Sequence, residues 1–217
     1  MPRTGLLTAR IEAAGRCLPA RSLGGDFYDW MVLGEDLQVM VADVMGKGIP
    51  AALLAASARA VLRGTFQYNA APEAMARAAG ALTPLLEEAG AFVTAFIARL
   101  DTSTGVLEYI DAGHGLALIL SPDGTSRRLS NSGPAVGLVA GWTWEIHTDT
   151  LEPGQTLLVV SDGFLDFFDD LEQALATAAA LNTVAATAEE LVRLCSDYAD
   201  SPEADDDTTV LALRRLA

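Results

Sequence analysis

Five acidic positions carry the first chemical signal in this sequence. Asp26 follows Gly24-Gly25 in GGDFYD, Asp43 leaves the apolar run VMVAD, Asp162 follows LLVVS, and Asp206 and Asp207 precede TTVLAL. Each stands where an apolar stretch begins or ends. Aspartate is common at turns because its side chain bonds nearby backbone N–H groups, so a single Asp-Gly such as Asp162-Gly163 says little. Several acids on strand ends say more. Brought together, like charges ~4 Å apart repel by roughly 1 kcal/mol even at the dielectric of water, and by more inside protein. Hard, oxygen-seeking cations such as Mg²⁺ or Mn²⁺ relieve that repulsion. The pattern points to a cation-dependent centre built from carboxylate oxygens.

Acids placed this way need strands to carry them. Residues 27–33, 37–42, 92–100, 106–110, 116–120, 156–160 and 208–213 are apolar runs of strand length. DTSTG between the third and fourth reads as a hairpin turn, and SPDG as a turn with proline pre-set at its second position. Helices are expected over 49–63, with Pro50 in its first turn, and over an alanine-rich stretch opened by Pro72 that Thr83-Pro84 kinks or restarts. Thr187 and Glu190 form a capping box ahead of a further helix. Short connections argue for antiparallel sheet with helices packed outside it. The exit of one antiparallel strand lies beside the entrance of its neighbour. Two exits and two entrances are thus expected to share one edge of the sheet.

Composition narrows the function classes. The chain has 217 residues, 51% of them hydrophobic, which excludes disorder and suits a single domain. No apolar stretch approaches the ~18 residues of a membrane span; the longest, 49–62, is broken by Arg59. The first residues lack a secretory signal, so a cytoplasmic location is expected. Twenty-nine acids against 14 bases give a net charge of −15, which disfavours nucleic acid and anionic membranes as partners, and with them a two-metal nuclease. Cys17 and Cys195 have no metal-ligand spacing and read as small buried hydrophobes of a reducing compartment.

The segments LPARSLGGDFYDW, VADVMGKGIPAALLAA, FVTAFIARLD, STGVLEYIDAGH, GPAVGL, LLVVSDGFLD and DDDTTVLALR follow one another over nearly the whole chain. As an ordered series they resemble the SpoIIE/RsbU-like branch of the PPM (type 2C) phosphatases. The resemblance implies an α+β fold, a four-layer α-β-β-α sandwich of two antiparallel sheets flanked by helices. It implies hydrolysis of phosphoserine or phosphothreonine on a protein, a STAS-type anti-sigma antagonist or similar signalling protein. It implies two Mn²⁺ or Mg²⁺ ions on Asp26, Asp43, Asp162, Asp206 and the main-chain carbonyl of Val44. Asp206 is preferred because Asp206-Asp207-Thr208-Thr209 fits the family's D-(D/N)-x-T pattern; Asp207 is the reserve, and Asp29 is expected to act from behind the ligands. Catalysis then belongs to the four aspartates, acting through cation-activated water, with no protein nucleophile. His114 is expected to be a turn residue bonded to nearby backbone, and His147 sits in no functional motif.

The sequence also departs from the pattern. Met45 stands where eukaryotic relatives carry a histidine proposed as proton donor. The arginine that binds phosphate in those relatives has no counterpart; Arg21 and Lys47 are candidates, and both also fit a solvated surface. Enzymes of this branch carry sensor or receiver domains upstream, so a catalytic fragment of a longer signalling protein is expected. A phosphatase-like module that binds a phosphoprotein without hydrolysing it is the alternative, disfavoured by retention of the four acids.

Overall fold

The structure, a computed structural model, describes residues 1–2, 4–20, 23–129, 132–199 and 206–216. In chain order its elements are β1 (Leu6–Leu7), β2 (Ile11–Leu18), β3 (Phe27–Leu33), β4 (Asp36–Val44), α1 (Ile49–Tyr68), α2 (Ala71–Ala89), β5 (Val93–Asp101), β6 (Val106–Ala112) and β7 (Ala117–Leu120). There follow β8 (Ser126–Leu129), β9 (Ser132–Gly133), β10 (His147–Thr150), β11 (Thr156–Val160), a 3₁₀ turn (Asp162–Phe167), α3 (Leu171–Val184), α4 (Ala188–Ala199) and β12 (Thr208–Arg215).

The strands form two sheets, in the orders β1-β2-β12-β11-β7-β8 and β10-β6-β5-β4-β3. All these pairings are antiparallel; the short β9 joins β6 in parallel. Three apolar layers hold the four structural layers together. Met40, Ala42 and Ile97 meet Leu62, Phe66 and Leu82 of α1 and α2. Val39, Val41 and Phe96 meet Val159, Leu211 and Leu213 between the sheets. Leu158, Val210 and Ala212 meet Ala174, Ala178 and Leu191 of α3 and α4. The expected α-β-β-α arrangement is what the chain adopts.

The central strands are legible because both their faces are buried. In β4, Leu37, Val39 and Val41 point between the sheets while Met40, Ala42 and Val44 point at the helices, so the run is continuously apolar. The DTSTG hairpin forms as read: Asp101 Oδ1 accepts from the N–H groups of Ser103 and Thr104, and Gly105 takes φ 85°. Pro84 restarts nothing. It lies inside the continuous helix α2, which ends on Gly90 in the left-handed conformation. The Thr187 cap is present, with Glu190 N–H donating to its Oγ1 at 3.1 Å, while the Glu190 carboxylate reaches back to the N–H of Ala186. Among the described residues no helix is long and apolar enough to cross a membrane.

Phe96 is fully buried between the sheets and stacks on Tyr109 with ring centroids 5.6 Å apart. Phe96→Ala is expected to cost about 3–5 kcal/mol, read as a lowered urea midpoint at unchanged slope.

Candidate metal centre

Register builds the site. In the β3–β4 ladder Phe27 pairs with Ala42, so the next step outward sets Asp26 against Asp43. In the β11–β12 ladder Val160 pairs with Val210, which brings the exit to Asp162 beside the entrance from Asp206 and Asp207. These two pairs belong to different sheets. The acids therefore do not share one edge of one sheet, as the strand count suggested; they meet at the common end of two stacked sheets. Asp26 and Asp43 have the same parity as Tyr28 and Val41, whose side chains fill the space between the sheets.

Two glycines make room for this junction. A β-carbon on Gly24 would overlap the Asp207 carboxylate, and one on Gly25 would overlap the carbonyl oxygen of Val44. GGD is thus a pair of notches through which the β3 entrance approaches the other sheet and the end of β4. Asp207 fills the first notch. Its Oδ1 accepts from Ala20 N–H at 2.9 Å and its Oδ2 from Gly25 N–H at 2.8 Å. The Ser161 hydroxyl donates to the Asp207 carbonyl at 3.2 Å and accepts from Thr209 N–H at 2.8 Å. Asp207 is a tie between sheets, its oxygens committed to backbone.

The remaining acids face one another across the gap. Asp26 is 4% exposed and its Oδ2 is buried with no hydrogen-bond partner. Burial first, and Asp43 second, push its carboxyl well above the ordinary range, against the opposing pull of the Ser161 and Thr209 hydroxyls. The Asp43 carboxyl is pushed up to about 6 by burial, then by Asp162, with Asp206 and Asp207 adding to the rise and Asp26 opposing it by a hydrogen bond. Asp43 therefore feels every acid of the constellation. Asp162 opens the 3₁₀ turn at the surface, and Asp206 pairs with Lys47 at 3.0 Å. Among the described residues no three Asp, Glu, His or Cys side chains form a ready-made metal cage. The acids share an electrostatic field, with Asp206 turned toward a lysine.

The oxygen-only donor set, the orphaned Asp26 Oδ2 and the notch at the Val44 carbonyl fit a hard divalent cation. Asp29 does not belong to this group. It has the parity of Phe27 and Met31, so it points at the helix layer, where its Oδ2 pairs with Arg59 at 3.0 Å and Arg63 at 2.8 Å. His114 lies in a loop capped by Asp111, whose Oδ1 accepts from His114 N–H at 2.8 Å. Burial lowers its ring pKa to about 4 against a hydrogen bond to the Val160 backbone, as expected of a structural turn residue. His147, on β10, lies against the Tyr109 ring in a tilted arrangement with centroids 5.5 Å apart. Arg21 lies outside the described residues.

This arrangement can be set beside known proteins. The profile of the Stage II sporulation protein E (SpoIIE) family matches residues 34–216. The chain belongs to the SpoIIE family. It is similar to phosphoserine phosphatase RsbU of Bacillus subtilis, 25% identical over 154 residues, or 70% of this chain and 46% of RsbU. It spans less than half the length of the curated relatives it matches. The RsbU and RsbW domains of Rv1364c from Mycobacterium tuberculosis superpose with a TM-score of 0.81 at 27% identity, covering 96% of this chain and 60% of that one. RsbX, crystallised in complex with magnesium, shares the fold at 18% identity with a TM-score of 0.77, covering 98% of each chain.

The raised carboxyls carry a pH signature. A carboxyl whose folded pKa exceeds its unfolded value binds more protons folded than unfolded, so stability falls as pH rises through the window between the two. For Asp43 the window runs from 3.8 to about 6, and the rise at Asp26 acts in the same direction. Chelated protein is expected to melt higher near pH 5 than near pH 7, and Asp43→Asn is expected to flatten that difference. Each kcal/mol corresponds to roughly 2–4 °C in a chain of this size.

Proposed function

We propose that this chain is a divalent-cation-dependent phosphatase acting on phosphoserine or phosphothreonine of a protein, and that residues 1–217 work as one catalytic domain. The observation that carries this reading is the strand register, which sets Asp26 against Asp43 at the end of one sheet and Asp162 beside the Asp206 entrance at the end of the other, with an Asp26 oxygen buried without a partner. Similarity to a phosphoserine phosphatase supports the reaction class. A phosphorylated signalling protein of the STAS type is the substrate the family resemblance favours.

Asp26, Asp43, Asp162, Asp206 and the Val44 carbonyl would hold two Mn²⁺ or Mg²⁺ ions. When bound, such ions supply Lewis acidity to phosphoryl oxygens and lower the pKa of water. The chain's own part is to hold these oxygens at a fixed junction. Asp26 and Asp43 come from the end of one sheet and Asp162 and Asp206 from the other, while the Asp207–Gly25 bond ties the two sheets and Ser161 fastens Asp207 to its own. Asp162, exposed at the head of its turn, leaves the centre open to a phosphorylated side chain. His114 is ill suited to protonate the leaving alkoxide: with a pKa lowered to about 4 its ring is neutral at pH 7. Water serves as the proton source.

Two experiments test this reading. Manganese-dependent phosphate release from a phosphoserine peptide, absent with chelator and absent on single-stranded DNA, is the expected activity. Asp43→Asn should abolish turnover and most of the Mn²⁺-induced rise in melting temperature, whereas His114→Ala in a folded protein should retain most activity. Turnover surviving exhaustive chelation would sink the proposal.

The two adjacent acids should separate cleanly. Asp207→Ala strands two backbone N–H groups and is expected to cost about 3 kcal/mol of stability. Asp206→Ala breaks a surface pair worth at most about 1 kcal/mol and one bond from the Asp207 N–H, so it should cost less stability and instead weaken Mn²⁺ binding, read by calorimetry.

A further inference from the structure

A phosphoryl dianion approaching this chain meets a net charge of −15 and a group of carboxylates, so a basic side chain beside the divalent ions would add to its reception. Lys47 is the one lysine of the sequence. Among the described basic residues it alone is paired with one of the four acids of the centre; the ion-paired arginines engage Asp29, Glu73, Asp149, Glu190 and Asp197. It sits on the loop that joins β4, one residue past Asp43-Val44-Met45-Gly46, to α1.

The loop is built to place it. Gly46 takes φ 107° and Gly48 φ 77°, a conformation that residues with a β-carbon rarely adopt. The Lys47 side chain that results is about half-exposed, with its Nζ 3.0 Å from Asp206 Oδ2. The pair contributes little to holding the fold: exposed ion pairs are worth about 0–1 kcal/mol. Its position matters more than its strength. The ammonium rests on a carboxylate that, on the proposed function, a divalent cation would claim. A lysine displaced from that oxygen keeps its four-carbon stem and strong hydration, and it remains within reach of whatever anion is drawn to the same place.

We propose that Lys47 is a substrate-binding residue that contacts the phosphoryl group, and that Asp206 holds it in the cation-free protein. Lys47 exchanges one oxyanion for another: the Asp206 carboxylate before the centre is filled, a phosphoryl oxygen of the phosphoserine or phosphothreonine afterwards. No bond is made or broken by this exchange, and no proton need move. The inference rests on the phosphatase reading.

The test uses the full chain with Lys47→Met and Lys47→Arg, both leaving the flanking glycines intact, with folding checked by thermal melts. Steady-state kinetics on a phosphoserine peptide, competitive inhibition by inorganic phosphate, and Mn²⁺ titration calorimetry without substrate are measured for each. A lost charge-assisted contact predicts a ten- to hundredfold rise in KM and in the inhibition constant for phosphate in Lys47→Met, about the effect of one such hydrogen bond. The loss should fall more on KM than on kcat, and Lys47→Arg should recover part of it. Mn²⁺ affinity of Lys47→Met should equal or exceed that of the parent, because the competing ammonium is gone. Unchanged KM and phosphate inhibition in Lys47→Met, or a loss of Mn²⁺ affinity, would overturn the role assigned to Lys47 while leaving the phosphatase reading standing. A parent protein without Mn²⁺-dependent turnover would overturn that reading itself.

Discussion

Repulsion among carboxylates at the shared end of two sheets is the constraint to which the rest of this structure answers. Asp26 and Asp43 are pushed toward protonation by burial and by their acidic neighbours, in a chain that already carries fifteen excess negative charges. The carboxylates themselves do not draw the sheets together, and the two ion pairs that cross between them, Lys47–Asp206 and Arg127–Asp149, lie toward the surface and contribute little. The closing force comes from the apolar layer between them, where Val39, Val41 and Phe96 meet Val159, Leu211 and Leu213. At the acidic end that layer gives way to directed contacts. Asp207 grips two backbone N–H groups, Ser161 bonds both Asp207 and Thr209, and the notches at Gly24 and Gly25 let the backbones approach. A charge that resists convergence is thus held by a neighbouring charge whose own oxygens are fully spent on backbone.

This division of labour explains how much could be read from the sequence. The strands at the centre of each sheet were legible because they are buried on both faces, and the helix after Gly48 because Pro50 and alanine mark it. The edges were not. β2 (IEAAGRCL) carries Gly15, where the ring of Tyr28 occupies the space a side chain would need, so it lacks a continuous apolar signature. β8 (SRRL) and β10 (HTDT) are short edge strands with polar residues; Arg127 of one pairs with Asp149 of the other across the two sheets. In α3 the buried face is made of Ala174, Ala178, Ala179 and Asn182, and with further alanines on the outer face the apolar periodicity that marks a helix is blurred. Pro84 misled for a different reason: packing of Leu82 and Leu86 on the sheet overrides the local cost of the imide in α2.

The site was legible as residue types before it was legible as geometry. Antiparallel pairing brings strand ends together whether they lie in one sheet or in two facing sheets, so counting exits and entrances could not choose between the two. Register chooses. Extending the Phe27–Ala42 pair by one step sets Asp26 against Asp43, and the β11–β12 ladder does the same for Asp162 and its partners. The preference for Asp206 over Asp207 comes from a family pattern; in the structure both Asp207 oxygens accept backbone N–H groups, while Asp206 accepts one at Oδ1 and turns Oδ2 to Lys47.

Asp29 shows what parity alone would have told. Three residues beyond Asp26, it must lie on the opposite face of β3, toward α1, and there two guanidinium groups meet its buried carboxylate. A buried acid stripped of such partners is strongly destabilising, by about 3–5 kcal/mol. Arg59 and Arg63 therefore pin the third and fourth turns of α1 to the strand that Asp26 introduces. The loop carrying Lys47 is then held at both ends, by the β4 ladder through Val44 and by a helix that cannot slide along the sheet. With both ends fixed, the positive φ that glycine readily adopts at Gly46 and Gly48 sets where the loop presents Lys47. The ion pair on the helix face and the lysine over the carboxylates are two parts of one mechanical arrangement, and the buried part sets the position of the exposed one.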